Sequence, residues 1–248
     1  MTEIRFGLQS ATLNPQGGWI DSWHIGDQPI LLPRQRLKFG NKKRDVGGMH
    51  VCFPYYGKAP KRSMLPENGH VFRTLGTPQR VATEKAEVAY SGLNCLGSGE
   101  MLCDVTVGAA FDAGRFTQSL RVAAAARQTG SLRVSPGFRY YFSTPQGVAT
   151  VYSSTTEVVR SPDFGPKFFK FTGQNFLIGI DGGRLLELVP QGAFWDSRRS
   201  LACVWRNDPC FVCVDVLVAH PDSNGAAGIR LTSERPLELQ CMVTIRER

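Results

Sequence analysis

Apolar residues along this chain fall into short runs. They either alternate with polar residues or are apolar throughout. EMLCDVTVGAAF, GSLRVSPGF, GVATVYSSTTEVV, NFLIGI, SLACVW, CFVCVDVLVA and LELQCMVTI are separated by Gly, Pro, Asn and Asp turns. A side-chain period of two bounded by turn residues is the signature of β-strands. RFTQSLRVAAAARQ is ambiguous. Its alanine run favours helix and Phe116, Leu120 and Ala124 recur every four residues, yet SLRVA alternates and can form a hairpin with SLRVSPG. No composition break cuts the chain. The pattern predicts a single domain over residues 1–248, all-β, built as a large antiparallel β-sandwich.

Composition narrows this picture. The 248 residues are 42% hydrophobic and 20% charged, enough to bury a core and too apolar for a disordered chain. The 26 glycines and 15 prolines supply turns at irregular spacing, which argues against a propeller or short-repeat solenoid. No apolar run reaches the roughly 18 residues of a membrane helix, and MTEIRFGLQS lacks a charged-then-apolar leader pattern. No membrane partner is expected.

The net charge of +8 is unevenly spread. Residues 1–80 hold 12 basic and 5 acidic side chains, a net of +7, against 17 and 16 in the remainder. A basic front favours anionic partners such as phosphorylated metabolites, and an ordinary solvated basic face is the alternative. Seven cysteines, odd in number and mostly inside apolar runs, fit buried thiols in a reducing compartment, so a cytoplasmic location is expected. Cys210 and Cys213 form one CxxC with His220 seven residues later, but a second ligand pair is missing and no metal is expected.

Three stretches carry candidate chemistry. In GGMHVCFPYYG (residues 47–57), Gly47 and Gly48 permit close backbone approach, His50 adds an imidazole, and Pro54 sets a turn that can expose Tyr55 and Tyr56 to a sugar face. LPENGHVFRTLG places His70 and Arg73 beside the flexible Asn68–Gly69 step. In CFVCVDVLVAHPDSNG, the odd-numbered residues of 211–217 share one strand face. Asp215 therefore lies between Cys213 and Leu217, a carboxylate that must be hydrogen-bonded, paired or set in a cleft. It is either a proton acceptor or a structural aspartate tied to backbone amides or an arginine. His220, Asp222 and Asn224 follow in a turn.

These stretches resemble the galactose-mutarotase-like superfamily, the aldose 1-epimerases and especially their glucose-6-phosphate 1-epimerase-like branch. GGMHVCFPYYG resembles Gly-Gly-Ile-Pro-Val-Cys-Phe-Pro-Trp-Phe-Gly, and LPENGHVFRTLG resembles Pro-x-His-Gly-Phe-Ala-Arg. SPGFRYYF resembles a stretch ending His-x-Tyr-Phe. PCFVCVDVLVAHPDSNG resembles one in which a catalytic glutamate is followed seven residues later by Asp. The four occur in family order. The resemblance implies a β-supersandwich with a sugar cleft on its concave face, and general acid–base ring opening without metal or organic cofactor. In that chemistry a carboxylate takes the anomeric proton and a histidine protonates the ring oxygen.

Carried over, Asp215 takes the base position, one methylene shorter than glutamate, and Arg139 takes the position of the acid. A guanidinium stays protonated, so Arg139 can stabilise a developing alkoxide but donates a proton poorly. His70 is the substitute acid, adjacent to the family histidine position, which falls on Asn68 or Gly69 depending on the direction of counting. Arg44, His50, Tyr55, Asn68, Arg73, Tyr141 and Asp222 are the substrate-binding candidates, with Arg44 and Arg73 the pair for a phosphate. The expectation is a 1-epimerase acting on an aldose or hexose 6-phosphate, as monomer or homodimer. The alternatives are a non-catalytic sugar or sugar-phosphate binding protein of the same fold and, remotely, a nucleic-acid-binding β protein; no nucleic-acid partner is expected.

Overall fold

The computed structural model describes residues 1–39, 41–57, 66–95, 102–124, 132–147, 149–153, 156–160, 164–170, 175–180, 183–195, 200–206, 208, 210–219, 228–232 and 234–247. Every apolar run quoted above contains or contributes to a strand. Two nine-stranded antiparallel sheets dominate. The first runs in the order Thr2–Phe6, Gln9–Leu13, Ile20–Ile25, Met49–Cys52, Gly137–Ser143, Phe211–Leu217, Leu201–Arg206 and Phe164–Lys170, with Gln28–Pro29 paired to Ile20–Ile25. The second runs Thr156–Arg160, Ala149–Ser153, Phe176–Ile180, Arg184–Gln191, Leu237–Glu247, Arg115–Ala124, Leu102–Asp112, Lys85–Asn94 and Thr77–Arg80. A hairpin of Gln35–Phe39 and Lys42–Val46 and a short pair of Leu132–Val134 with Ile229–Leu231 stand apart.

One apolar cluster joins the two sheets, as the β-sandwich reading requires. Trp23 of the first sheet stacks on Phe116 of the second with ring centres 4.8 Å apart, and Phe169 meets Phe176 at 6.0 Å. Strand alternation aims these residues inward. In Phe211–Leu217, Val212, Val214 and Val216 enter this cluster, while Phe211 and Cys213 join a second, smaller one with Leu32, Val46 and Tyr141. A sheet buried on both faces explains why all seven residues of that strand are buried.

The alanine-rich segment takes the strand form and not the helix, with other partners than the expected hairpin. Arg115–Ala124 is a strand, paired to Leu102–Asp112 on one side and Leu237–Glu247 on the other. Leu132–Val134 pairs with Ile229–Leu231 and not with it. Phe116, Leu120 and Val122 all face the core from alternate positions of this strand, and that burial overrides alanine's helical preference. Among the described residues the one helical element is the 3-10 turn Val71–Arg73.

Candidate functional site

The register of the first sheet sets His50, Arg139, Asp215 and Cys203 side by side on four neighbouring strands. Tyr141, Cys213 and Trp205 form the next row on the same face. A slip of one residue would turn every one of these side chains into the apolar core, so the valines on the opposite face hold the row in place.

Asp215 has no exposed surface. Arg139 Nε donates to its Oδ1 at 2.5 Å and Nη2 to its Oδ2 at 3.3 Å. The Tyr56 hydroxyl donates to Oδ2 at 2.8 Å and Trp205 Nε1 at 3.2 Å. A carboxylate in a dry interior requires an opposite charge and several donors, and this one has both. The Arg139 guanidinium also lies 5.1 Å from the Tyr56 ring centre and 5.9 Å from that of Trp205. Burial alone would lower the pKa of Arg139. The Asp215 carboxylate first, then Tyr141, Cys213 and Cys52, together outweigh it and hold the group well above its usual value, permanently charged. Burial and the neighbouring Asp215 charge push Tyr56 far up, so it remains a neutral phenol.

His50 is buried on the other side of Arg139. Its ring stacks on Trp19 at 4.1 Å, with Phe72 at 5.5 Å and Tyr141 at 6.4 Å. Burial first, then the Arg139 and Arg34 charges, hold its pKa well below 6.5, so the imidazole is neutral. Its Nδ1 has no partner among the described residues. Arg34 lies 4.2 Å from the Trp19 ring centre, on an ion-pair path to Asp21 (3.6 Å) and Asp45 (3.9 Å).

The loop glycines do what the sequence suggested. Gly47 has φ +92°, and a Cβ there would sit 2.4 Å from the Pro33 carbonyl oxygen. Gly69 has φ +76° and would place a Cβ 1.8 Å from the carbonyl oxygen of Phe53, so only glycine lets residues 66–76 dock against the 47–57 stretch.

The other candidates spread out. Tyr55 is buried rather than exposed at a rim, bridged to Ser135, and burial raises its pKa. Its neighbour Tyr56 is the residue that reaches the carboxylate. Asn68 accepts the Gly57 N–H at 2.8 Å and returns its own N–H to the Gly57 carbonyl at 2.7 Å, clasping the two ends of the 57–68 connection. His70 precedes the 3-10 turn, half-buried, with its pKa lowered by burial and with no hydrogen bond to Arg139 or Asp215. Arg73 is exposed, its guanidinium 4.9 Å from the Phe72 ring centre. Tyr141 is buried on the Asp215 face, edge-on to Trp205 and Phe211. Arg44 pairs with Leu37 through the backbone of the hairpin, and its side chain lies outside the described part. Asp222, with His220 and Asn224, also lies outside the described residues.

Sequence reasoning missed Trp205 and placed Tyr56, together with Tyr55, only at a sugar-facing rim and not on Asp215. Trp205 shares the Cys213 row, a position recoverable only once the neighbouring strands are in register. Tyr56 arrives from a loop, and no periodicity points a loop side chain at Asp215. Arg139, Asp215, Tyr56 and Trp205 together present one delocalised cation backed by a carboxylate and flanked by two aromatic rings. Such an arrangement can hold a polyhydroxylated or anionic ligand by charge and ring stacking.

No protein-family model and no curated protein matches the sequence. Solved structures do match the fold. The Slr1438 protein of Synechocystis sp. PCC 6803 superposes with a TM-score of 0.79 at 13% identity, covering 100% of this chain and 96% of that one. A galactose mutarotase-like protein from Lactobacillus casei gives 0.74 at 12%, covering 99% and 100%. The galactose 1-epimerase of Lactobacillus acidophilus gives 0.70 at 8%, covering 98% and 92%. The chain has the galactose-mutarotase-like fold.

Proposed function

We propose that this protein binds an aldose or sugar phosphate on the Arg139–Asp215 face and does so without efficient turnover, the acid–base couple of a 1-epimerase being replaced by a closed ion pair. The observation that carries this reading is the enclosure of Asp215, which has no exposed surface and four donors on its two oxygens. A general base must take a proton from its substrate within hydrogen-bond reach. Here the carboxylate would first have to leave a buried, two-point arginine pair. Breaking such a pair costs about 3–5 kcal/mol, which suppresses the reactive form by roughly two to four orders of magnitude.

The acid side is weaker still. Arg139 holds its proton, and the neutral His50 has none to spare near neutral pH. Arg139 remains useful as a clamp for hydroxyl or anionic oxygens. Tyr56 and Trp205, both partly exposed, supply the ring faces.

A slow epimerase is the second reading. It is favoured by Oδ1 of Asp215, which accepts only Arg139 Nε among the described residues and so retains a lone pair for an anomeric hydroxyl. One experiment separates the two. Calorimetry with glucose, galactose and glucose 6-phosphate measures binding, and saturation-transfer NMR on the same sugars measures anomer exchange. Binding with exchange at the buffer rate supports the binding protein. Exchange above that rate, lost in Asp215→Asn, replaces it with the enzyme, and no binding to any sugar defeats both.

A further inference from the structure

Residues 34–46 hold six basic side chains and one acidic, a net of +5 out of the chain's +8, so the rest of the chain carries only +3. Most of that charge belongs to the hairpin of Gln35–Phe39 and Lys42–Val46, which pairs with neither large sheet. Its register sets Arg36 opposite Asp45 and Lys38 opposite Lys43 on one face, and all four are exposed. Like charges facing each other across antiparallel strands are destabilising. Among the described residues Arg36, Lys38 and Lys43 form no ion pair, and Asp45 goes to Arg34 instead. From the other face of the ribbon, Leu37 packs on the small cluster that holds Tyr141, Phe211 and Cys213. The ribbon is thereby seated beside the row next to Arg139 and Asp215.

A line of contacts runs from the ribbon to that site. An open cleft of about 420 Å³ at the base of the ribbon is lined by Asp21, Pro33, Arg34, Gln35, Arg36 and Asp45. Arg34 lies 4.2 Å from the Trp19 ring centre, Trp19 stacks on His50 at 4.1 Å, and His50 stands opposite Arg139 in the register. The two ion pairs of Arg34, at 3.6 and 3.9 Å, are too long for hydrogen bonds, so its N–H groups keep their capacity for a ligand.

We propose that the ribbon and its cleft bind the acidic groups of an oligosaccharide, one unit of which lies on the Arg139–Asp215 face. This rests on the binding reading above and adds that the ligand is longer than one sugar and charged on more than one unit. The ribbon's cations repeat along a strand at about 7 Å and across it at about 5 Å. A lone phosphate reaches only part of that array, whereas a linked series of acid groups engages it together, each contact weak but the sum reinforced by linkage. Asp45, half-exposed among these cations, chooses between kinds of polyanion. It accepts hydroxyl donors, which an acidic sugar chain offers between its charged groups and a DNA backbone does not.

The test is calorimetry on the intact protein with galacturonic acid and its di-, tri- and tetramers, each compared with its methyl-esterified, uncharged form. Affinity should rise with length in the acidic series alone and fall with added salt. Lys38→Glu sets opposite charges across the strands, so the fold should hold, with circular dichroism as the check. It is expected to weaken the acidic tetramer about tenfold and to flatten the length dependence. Lys43→Gln should act in the same direction. Equal affinity at every length, with or without the ester, overturns the ribbon proposal and leaves the Arg139–Asp215 reading standing where the monomer binds. Tetramer binding that Lys38→Glu weakens and the Arg139→Met, Asp215→Leu double change does not would keep the ribbon and refute the Arg139–Asp215 reading. An oligothymidylate of equal charge that binds more tightly than the tetramer would overturn the oligosaccharide in favour of nucleic acid.

Discussion

Arg139 and Asp215 stand directly opposite each other on adjacent antiparallel strands, and their side chains close the gap with two hydrogen bonds, at 2.5 and 3.3 Å. Neither group makes sense alone. The arginine side chain is 13% exposed and the carboxylate not at all, so each is the other's replacement for water. Truncating one partner strands a buried charge. Arg139→Ala and Asp215→Ala should each lower unfolding free energy by about 3–5 kcal/mol, read from urea denaturation. The double change Arg139→Met with Asp215→Leu should recover most of that loss. A double variant as unstable as the worse single one would mean that the pair is held by its neighbours and not by mutual charge.

Tyr56 offers a finer probe of the same carboxylate. Its hydroxyl donates to Oδ2 at 2.8 Å, and Tyr56→Phe removes that bond while leaving the ring beside Arg139. A hydrogen bond to a charged group contributes about 1.5–3 kcal/mol, and a loss in this range is expected on chemical denaturation. Combined with Asp215→Asn, the effect should shrink by more than half, because the charge it serves is gone. Strict additivity in that cycle would separate Tyr56 from Asp215 energetically.

How far the sequence carried this site depends on which side chains lie on strands. The alternation of residues 211–217 predicted that Asp215 would share a face with Cys213, and the register agrees. The arginine-tied aspartate was one of two readings open from sequence, and the ion pair is the one found. Tyr55 and Tyr56 were indistinguishable in PYYG, since both follow a proline turn. Their separation, one buried beside Ser135 and the other on Asp215, is settled by packing between segments distant in sequence. The resemblance makes Asn68 a ligand contact, whereas its amide oxygen accepts the Gly57 N–H, a local turn role that a loop asparagine commonly adopts. The alanine-rich run misled for the opposite reason, because propensity is local and its burial between two strands is not.

His50 makes stability depend on pH. Its folded pKa lies well below 6.5 through burial and through the Arg139 and Arg34 charges, while in the unfolded chain it returns to about 6.5. Below that value the unfolded state binds more protons than the native one, so stability is full above about 6.5 and falls as pH drops toward the folded pKa. The slope should approach about 1.4 kcal/mol per pH unit for this residue. His70, lowered by burial but about half-exposed, adds less. His50→Phe, which keeps a ring against Trp19, should flatten the pH 6.5 to 5 part of the profile. An unchanged slope in that variant would assign the acid sensitivity to other groups.

The reading of a binding protein makes a stronger demand, that catalysis is blocked by two side chains on an otherwise suitable fold. The resemblance to 1-epimerases places a histidine where Arg139 stands and a glutamate where Asp215 stands. Arg139→His removes the guanidinium that closes on the carboxylate and introduces a group that titrates near neutrality. Asp215→Glu adds the methylene that carries the carboxylate away from the strand. Each change alone leaves half of the couple missing, so each should show anomer exchange near the spontaneous rate. Together they should raise exchange of at least one aldose or hexose 6-phosphate, since a positioned acid or base contributes about two to four orders of magnitude. Saturation-transfer NMR on the folded double variant, with circular dichroism as the check on folding, gives the result. A folded double variant that binds sugar yet exchanges anomers only at the buffer rate would show that the block extends beyond these two positions. The neutral, stacked His50 and the half-buried His70 would then be the next positions to change, because neither now offers a proton near neutral pH.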